Sequence, residues 1–142
     1  HVYVQYAVEL DPNNPDNNLY DADAGGRLIR ITASTADPNV ADLASRVVIQ
    51  DNHRMTHNTH SVGDVDFDND GNLIYTWGDG GFDTTLRLEA QDPNSAQGKV
   101  CRINPETFEG VPENPFYDSD NTDSIASRVL SGCSQGCWGG MC

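Results

Sequence analysis

Short stretches of alternating apolar and polar residues, separated by clusters of turn-forming residues, dominate this chain. Val2, Val4, Tyr6 and Val8 alternate with their neighbours at the start of the sequence. A period of two places such side chains on one face of a β-strand. Further strand-like segments lie at residues 27–33, 46–50, 65–67, 73–77, 99–103 and 127–130. Because no long helical pattern separates these segments, the sequence predicts an all-β fold.

The segments between the predicted strands are rich in Asn, Asp, Gly and Pro, which favour turns for local backbone reasons. These segments are residues 11–18, 21–26, 92–95 and 104–116. Only residues 37–46 suggest a helix, and that helix would be short.

The charge balance narrows the classes of partner. The 142 residues carry 22 acidic and 8 basic side chains, a formal net charge of −14, and Lys99 is the only lysine. Nucleic acids and anionic membrane surfaces attract basic patches, so neither is an expected partner. No apolar run approaches the ~20 residues that span a bilayer. The composition fits a secreted, extracellular protein, a cation binder or a protein with a neutral substrate, and solubility alone would also explain it.

The cysteines bear on the same question. Three of the four, Cys133, Cys137 and Cys142, crowd into the last ten residues, and Cys101 lies in a predicted strand. Their spacing does not match the paired cysteines of zinc ribbons. An even count in an acidic chain predicts two disulfides and an oxidising compartment. A buried thiol at Cys101 is the alternative.

The acidic stretch at residues 66–71 resembles the first half of a calcium-binding EF-hand loop. Asp66, Asp68, Asp70 and Gly71 occupy the matching positions. The twelfth position requires a bidentate Glu, but Trp77 stands there. Strand-like segments flank the stretch, and Asp-Gly favours a tight turn. The sequence therefore predicts a β-hairpin, while a calcium site of another kind stays open.

Two further groups are candidates for a functional site. His53, His57 and His60 lie within eight residues, a grouping that can bind zinc or copper or simply line a polar loop. A histidine can also act as a general base near neutral pH. Gly78–Gly81, which reads Gly-Asp-Gly-Gly, leaves Asp79 at the end of a predicted strand. Loops at strand ends are common places for function in β folds.

Several of these features, taken in order, resemble the soluble glucose/sorbosone dehydrogenases that depend on pyrroloquinoline quinone (PQQ). That family has the fold of a six-bladed β-propeller. The resemblance is carried by a His-x-x-Gly motif, a turn ending in Asp-Gly, a Gly-Asp motif, a Gly-Lys-containing strand and an Asn-Pro-Phe motif. In this chain these are His60–Gly63, Asp68–Gly71, Gly78–Gly81, Ala96–Ile103 and Glu113–Phe116.

The resemblance implies a catalytic role for two residues. His60 matches the general base that takes the proton of a sugar hydroxyl while hydride passes to the quinone. Asp79 matches the carboxylate that supports this histidine. The resemblance also implies PQQ and calcium as cofactors and a sugar or polyol as substrate, but it leaves the cofactor-binding residues unknown.

The chain departs from the family pattern after residue 130. The family continues with a motif whose arginine helps to bind the quinone, whereas residues 131–137 here read SGCSQGC. At roughly 40–50 residues per blade, 142 residues amount to two or three blades. We therefore expect residues 1–130 to form a partial propeller that belongs to a larger assembly, with other chains or the rest of a propeller as partners. Residues 131–142 would form a Cys/Gly-rich, disulfide-linked tail.

Two other functions remain open at this stage. The chain could be a non-catalytic extracellular propeller module for protein binding or structural assembly, which the departure after residue 130 favours. It could also be a calcium-binding extracellular domain, which the clustered carboxylates favour.

Overall fold

Two antiparallel sheets make up nearly all of the regular secondary structure in this computed structural model, which describes residues 1–9, 13, 24–55, 60, 62–80 and 89–132. The first sheet has the order β1-β2-β3, and the second has the order β4-β5-β6-β7. The all-β prediction is confirmed. The bounds are β1 Val2–Glu9, β2 Ala24–Ala33, β3 Ala41–Met55, β4 Val62–Phe67, β5 Leu73–Trp77, β6 Lys99–Ile103 and β7 Val129–Gly132.

The first sheet turns one face toward the second sheet. Tyr3 packs edge-on against Phe67 at a centroid distance of 5.6 Å, and the Gln5 amide donates to the Thr76 carbonyl at 2.9 Å. Leu28 is fully buried in the core between the sheets. Because successive strand residues point to opposite faces, Val2 and Val4 lie on the other face, which we call the outer face of the first sheet.

The helix predicted for residues 37–46 is not formed. Residues 38 and 39 make a turn, and β3 begins at Ala41. This strand pairs with β2 through Ala33↔Ala41 and Thr32↔Asp42. The Thr32 N–H also donates to Ser45 Oγ at 2.8 Å, where the register shifts. Pairing with the preceding strand β2 thus overrides a weak local preference for helix.

The second sheet contains the predicted hairpin around residues 68–71. Strand β5 lies between β4 and β6, and its register pairs Tyr75 with both Val65 and Cys101. Every second residue of β5 and β6 is buried, as the alternation predicts. The inward-facing set forms most of the core and comprises Leu73, Tyr75, Trp77, Cys101 and Ile103.

A polar contact crosses the interface between the two sheets. The Tyr75 hydroxyl donates to Gln50 Oε1 at 2.9 Å in a fully enclosed position. Burial raises the pKa of Tyr75 well above its ordinary value, so the phenol keeps its proton. Gln50 follows a bulge in β3, because Leu28 pairs with Gln50 while Ile29 pairs with Val48. The bulge turns both Ile49 and Gln50 toward the second sheet.

The last described segment differs in part from the predicted strand at 127–130. A short helix, α1 (Ile125–Arg128), precedes β7. Ser124 is its N-cap residue, and the Ser124 Oγ accepts the Ser127 N–H at 3.1 Å. Such a side-chain cap satisfies a backbone donor at a helix start and stops the strand from beginning earlier. Strand β7 runs to Gly132, two residues past the boundary at 130 that the sequence suggests.

Asn114 of the Asn-Pro-Phe motif joins this segment to β6. Its amide donates to the Arg102 and Ser127 carbonyls, both at 2.8 Å, and its Oδ1 accepts from Arg102 Nε at 3.0 Å. The motif therefore has a structural role here. Among the residues described, no helix has the length and apolarity that a membrane span requires.

Candidate active site

His60 lies just before β4 in a backbone conformation that side chains rarely adopt. Its φ is +58°, in the left-handed region. For a residue other than glycine this conformation costs about 1–2 kcal/mol. Such strained residues cluster at functional sites. The His60 carbonyl accepts the N–H of Gly80 at 3.0 Å, which ties the histidine to the turn that follows β5.

The turn at residues 78–80 packs directly against the His60 backbone. A Cβ at position 78 would lie 2.0 Å from the His60 carbonyl oxygen, so only glycine fits there. Gly80 has a φ of +82°, which glycine adopts without steric cost. These two glycines allow Asp79 between them to approach His60.

The His60 and Asp79 side chains meet although they are 19 residues apart in the sequence. His60 Nδ1 lies 2.9 Å from Asp79 Oδ1, and the two side chains are only 18% and 20% exposed. An ionised carboxylate can only accept a hydrogen bond, so the contact places a proton on Nδ1. In the neutral imidazole Nε2 then carries the lone pair. The arrangement orients a base whose conjugate acid would be stabilised by the carboxylate.

The predicted histidine cluster stays a prediction as a metal site, because two of its three side chains lie outside the described residues. Only the backbone of His53, in β3, is described, and His57 lies outside the described residues. Within the described ranges, no group of three or more His, Cys, Asp or Glu side chains is arranged to hold a metal ion. Gly81 also lies outside those ranges.

The acidic loop forms the predicted hairpin turn. Asp68 Oδ1 accepts the backbone N–H groups of Asp70 at 3.0 Å and Asn72 at 2.8 Å, and Oδ2 accepts the Asn72 amide at 2.9 Å. The hydrogen bond from the Asn72 side chain is the main reason that the pKa of Asp68 is lowered. Gly71 takes the positive φ of +83° that the turn requires. The Asp68 carboxylate is thus engaged within the turn, and a calcium site of another kind stays a prediction.

Cys101 is a free thiol rather than half of a disulfide. It is fully buried in the core, and this burial raises its pKa to about 12. A buried free thiol at this position is what the alternative to a disulfide expects. Cys133, Cys137 and Cys142 lie outside the described residues, so disulfides among them stay a prediction.

One residue of the site region, Lys99, was noted in the sequence as the sole lysine but was not predicted to take part in the site. The Lys99 side chain is buried, and its Nζ lies within hydrogen-bonding distance of three backbone carbonyls. A signal was present, because the only lysine of the chain stands at an inward position of an alternating strand. Its neighbour Gly98 donates to the carbonyl of Gly78, directly beside Asp79.

A family model matches most of the chain. The model for glucose/sorbosone dehydrogenases covers residues 1–129, which include strands β1 to β6 and the His60–Asp79 pair. The chain belongs to the glucose/sorbosone dehydrogenase family. Among curated proteins, none matches the chain.

Solved structures of glucose dehydrogenases share the fold. One glucose dehydrogenase has a TM-score of 0.61 at 23% identity, over 89% of this chain and 32% of its own. The soluble aldose sugar dehydrogenase of Escherichia coli in its apo form has a TM-score of 0.60 at 19% identity, over 89% and 31%.

A third structure, described as a putative oxidoreductase (glucose dehydrogenase) from Thermus, has a TM-score of 0.54 at 28% identity, over 80% and 29%. The chain thus spans about a third of the length of these structures. The two sheets correspond to part of a β-propeller, as predicted.

Proposed function

We propose that this chain supplies the general base of a sugar or polyol dehydrogenase. The observation that carries the proposal is the 2.9 Å contact between His60 Nδ1 and Asp79 Oδ1 in a partly enclosed position. Family membership supports the class of reaction, and the sugar dehydrogenases among the similar structures support the class of substrate.

The reaction needs a base at the hydroxyl that is oxidised. His60 Nε2 would accept the hydroxyl proton while the adjacent carbon loses hydride to the acceptor, and the C–O bond becomes a carbonyl. Asp79 would hold the Nδ1 proton throughout and stabilise the imidazolium that forms. A positioned base of this kind contributes typically ~10²–10⁴-fold to the rate.

PQQ is the acceptor that the family resemblance implies; when bound, it supplies the hydride-accepting quinone. Its carboxylates would bind to cationic side chains, but three of the described arginines contact other protein groups instead. Arg27 pairs with Asp51, Arg30 contacts Glu106 and Phe108, and Arg102 contacts Asn114. These three arginines are engaged with protein groups, and we assign no quinone-binding or calcium-binding residue.

The test uses titration with PQQ and calcium, followed by absorbance changes on addition of a panel of sugars. We expect sugar-dependent reduction that falls by about 10²–10⁴-fold in His60→Asn. Asn tolerates the left-handed backbone conformation, so this variant isolates the loss of the imidazole. His1→Asn is the matched control, because His1 is exposed and its Nδ1 contacts Thr32 Oγ1 in the first sheet. Equal rates for the two variants would contradict the proposal.

A second candidate is a non-catalytic extracellular propeller module for binding or assembly with other protein chains. The engagement of Arg27, Arg30 and Arg102 with protein groups favours it over quinone binding. A folded protein of confirmed mass that takes up no PQQ would select this candidate. Bound calcium without PQQ uptake would select the third candidate, a calcium-binding extracellular domain. Secretion is part of all three proposals and would be tested by locating the native protein.

A further inference from the structure

Lys99 holds a full set of hydrogen-bond partners in a buried position. Lys99 as a whole residue is only 4% exposed. Nζ lies 2.7 Å from the Ala90 carbonyl, 2.9 Å from the Gln97 carbonyl and 3.2 Å from the Glu89 carbonyl. An ammonium has three N–H donors, so each can find one carbonyl. Burial lowers the pKa of Lys99, and these carbonyl dipoles offset part of the cost of burying the charge.

The three carbonyls come from the two ends of one loop. Glu89 and Ala90 lie at the start of the segment 89–98, and Gln97 lies near its end. A turn at Asp92 folds the segment back, and the Ser95 hydroxyl contacts Glu89 Oε2 at 3.1 Å. The ammonium therefore closes the loop and determines where Gly98 lies.

Gly98 in turn contacts the turn that carries Asp79. Its N–H donates to the Gly78 carbonyl at 3.0 Å, and its φ is +63°. On the opposite side, Gly78 packs against the His60 carbonyl, where a Cβ would not fit. The backbone of Gly98 thus contacts the 78–80 turn, and this turn contacts the backbone of His60. A shift of one of these segments would displace the next.

We propose that Lys99 is a positioning residue that holds the His60–Asp79 pair in place through the loop 89–98 and the 78–80 turn. The effect on sugar oxidation rests on the proposed function, whereas the effect on the geometry of the pair does not. Lys99 is not a proton donor to substrate in this role, because its Nζ is buried and hydrogen-bonded to three backbone carbonyls.

The experiment follows the His60 imidazole directly, by nitrogen-15 NMR of the full chain labelled at histidine. The signature of a protonated Nδ1 bound to Asp79 is expected in the wild type, assigned by its loss in His60→Asn. In Lys99→Met, which keeps most of the side-chain length but removes the charge, we expect this signature to be lost. If the protein is active, its rate falls on the order of 10²-fold, as small misplacements of a base do.

Arg102→Met is the matched control. Arg102 is a partly buried cation in the same strand, but it contacts Asn114, away from the pair. We expect this variant to keep the His60 signature. Loss of the signature in both variants would overturn the proposal, because any loss of charge in β6 would then suffice. A Lys99→Met variant that folds and keeps the signature would overturn it as well.

Lys99→Ala provides a second test in case the Met variant does not fold. n-Propylammonium replaces the atoms that Ala lacks, and n-propanol is the uncharged comparison. Recovery of the signature with the ammonium alone would support the proposal. Refolding without the signature, or no refolding at all, would overturn it, since Lys99 would then be a requirement of the sheet rather than of the site. Wild-type protein that shows the signature but oxidises no sugar would refute only the proposed function.

Discussion

The two sheets of this protein use the same alternation of residues in different ways. In the second sheet the alternating apolar residues Leu73 and Ile103 face the core and are fully buried. In the first sheet Leu28 is equally buried, but on the outer face Val2 is 56% exposed and Val48 is 42% exposed. Alternation therefore predicts a strand and its two faces, but it does not predict which faces are covered.

The two sheets also differ in their contacts with the candidate site. The end of β5 in the second sheet is in contact with His60 on one side and Gly98 on the other. The contacts of the first sheet with this region include the hydrogen bond from Gln5 to the Thr76 carbonyl. We infer that the second sheet holds the candidate site and that the first sheet stabilises it by covering one face.

The largest expected effect concerns the core of the second sheet. Tyr75→Ala should lower the free energy of unfolding by about 3–5 kcal/mol, because it removes a fully buried ring. Tyr75→Phe keeps the ring but leaves Gln50 Oε1 without its donor, and we expect about 1–3 kcal/mol. Chemical denaturation measures both. Equal losses would mean that the hydrogen bond between the sheets matters more than packing.

A pair of substitutions compares the two faces of the first sheet. Leu28→Ala should cost about 2–5 kcal/mol, because this side chain fills the core between the sheets. Val48→Ala, on the half-exposed outer face, should cost roughly 0.5 kcal/mol or less. Urea unfolding midpoints of the two variants give the comparison. A large loss for Val48→Ala would show that the outer face is covered in the native protein.

A third test asks whether the 78–80 turn positions the site. Gly78→Ala forces a Cβ against the His60 carbonyl, and we expect a cost of about 1–3 kcal/mol with a changed His60 NMR signature. Gly71→Ala is the matched control, because its Cβ meets no neighbour and the cost of about 1–2 kcal/mol comes from its positive φ alone. A His60 signature that changes in both variants would contradict a local effect.

The smallest expected effect is a dependence of stability on pH at the hairpin turn. The pKa of Asp68 is lower in the folded protein, chiefly through the Asn72 side chain, so its contribution is present above the unfolded value of about 3.9. The contribution is lost as pH falls through the folded pKa. Asp68→Asn should therefore lower the melting temperature at neutral pH and converge with wild type in acid. Asp70→Asn removes the same charge from the same turn, and a matching pH dependence there would refute this explanation.

The sequence predicted those features that depend on neighbouring residues. The strands at 73–77 and 99–103 follow from alternation, and the hairpin at Asp68–Gly71 follows from turn chemistry. The segment 37–46 was predicted wrongly because its strand depends on pairing with β2, which no local pattern records. The strand predicted at 127–130 begins two residues late because Ser124 caps a helical turn.

The candidate site was predictable only in part for the same reason. His60 and Asp79 were chosen through the family resemblance, and their spacing in sequence does not by itself require contact. The role of Lys99 depends on carbonyls of the loop 89–98 that directly precedes it, and the position of a backbone carbonyl cannot be read from a sequence. Composition therefore identified Lys99 as unusual, but only the structure shows which carbonyls its ammonium contacts.

The buried thiol of Cys101 has a practical consequence. A thiol whose pKa is raised to about 12 by burial reacts slowly with alkylating reagents until the two sheets separate. With the cysteines at 133, 137 and 142 replaced by serine, the labelling rate of Cys101 would measure how often this opening occurs. Local openings that leave the core closed would not increase the labelling rate. The chain thus contains its own probe for the separation of its two sheets.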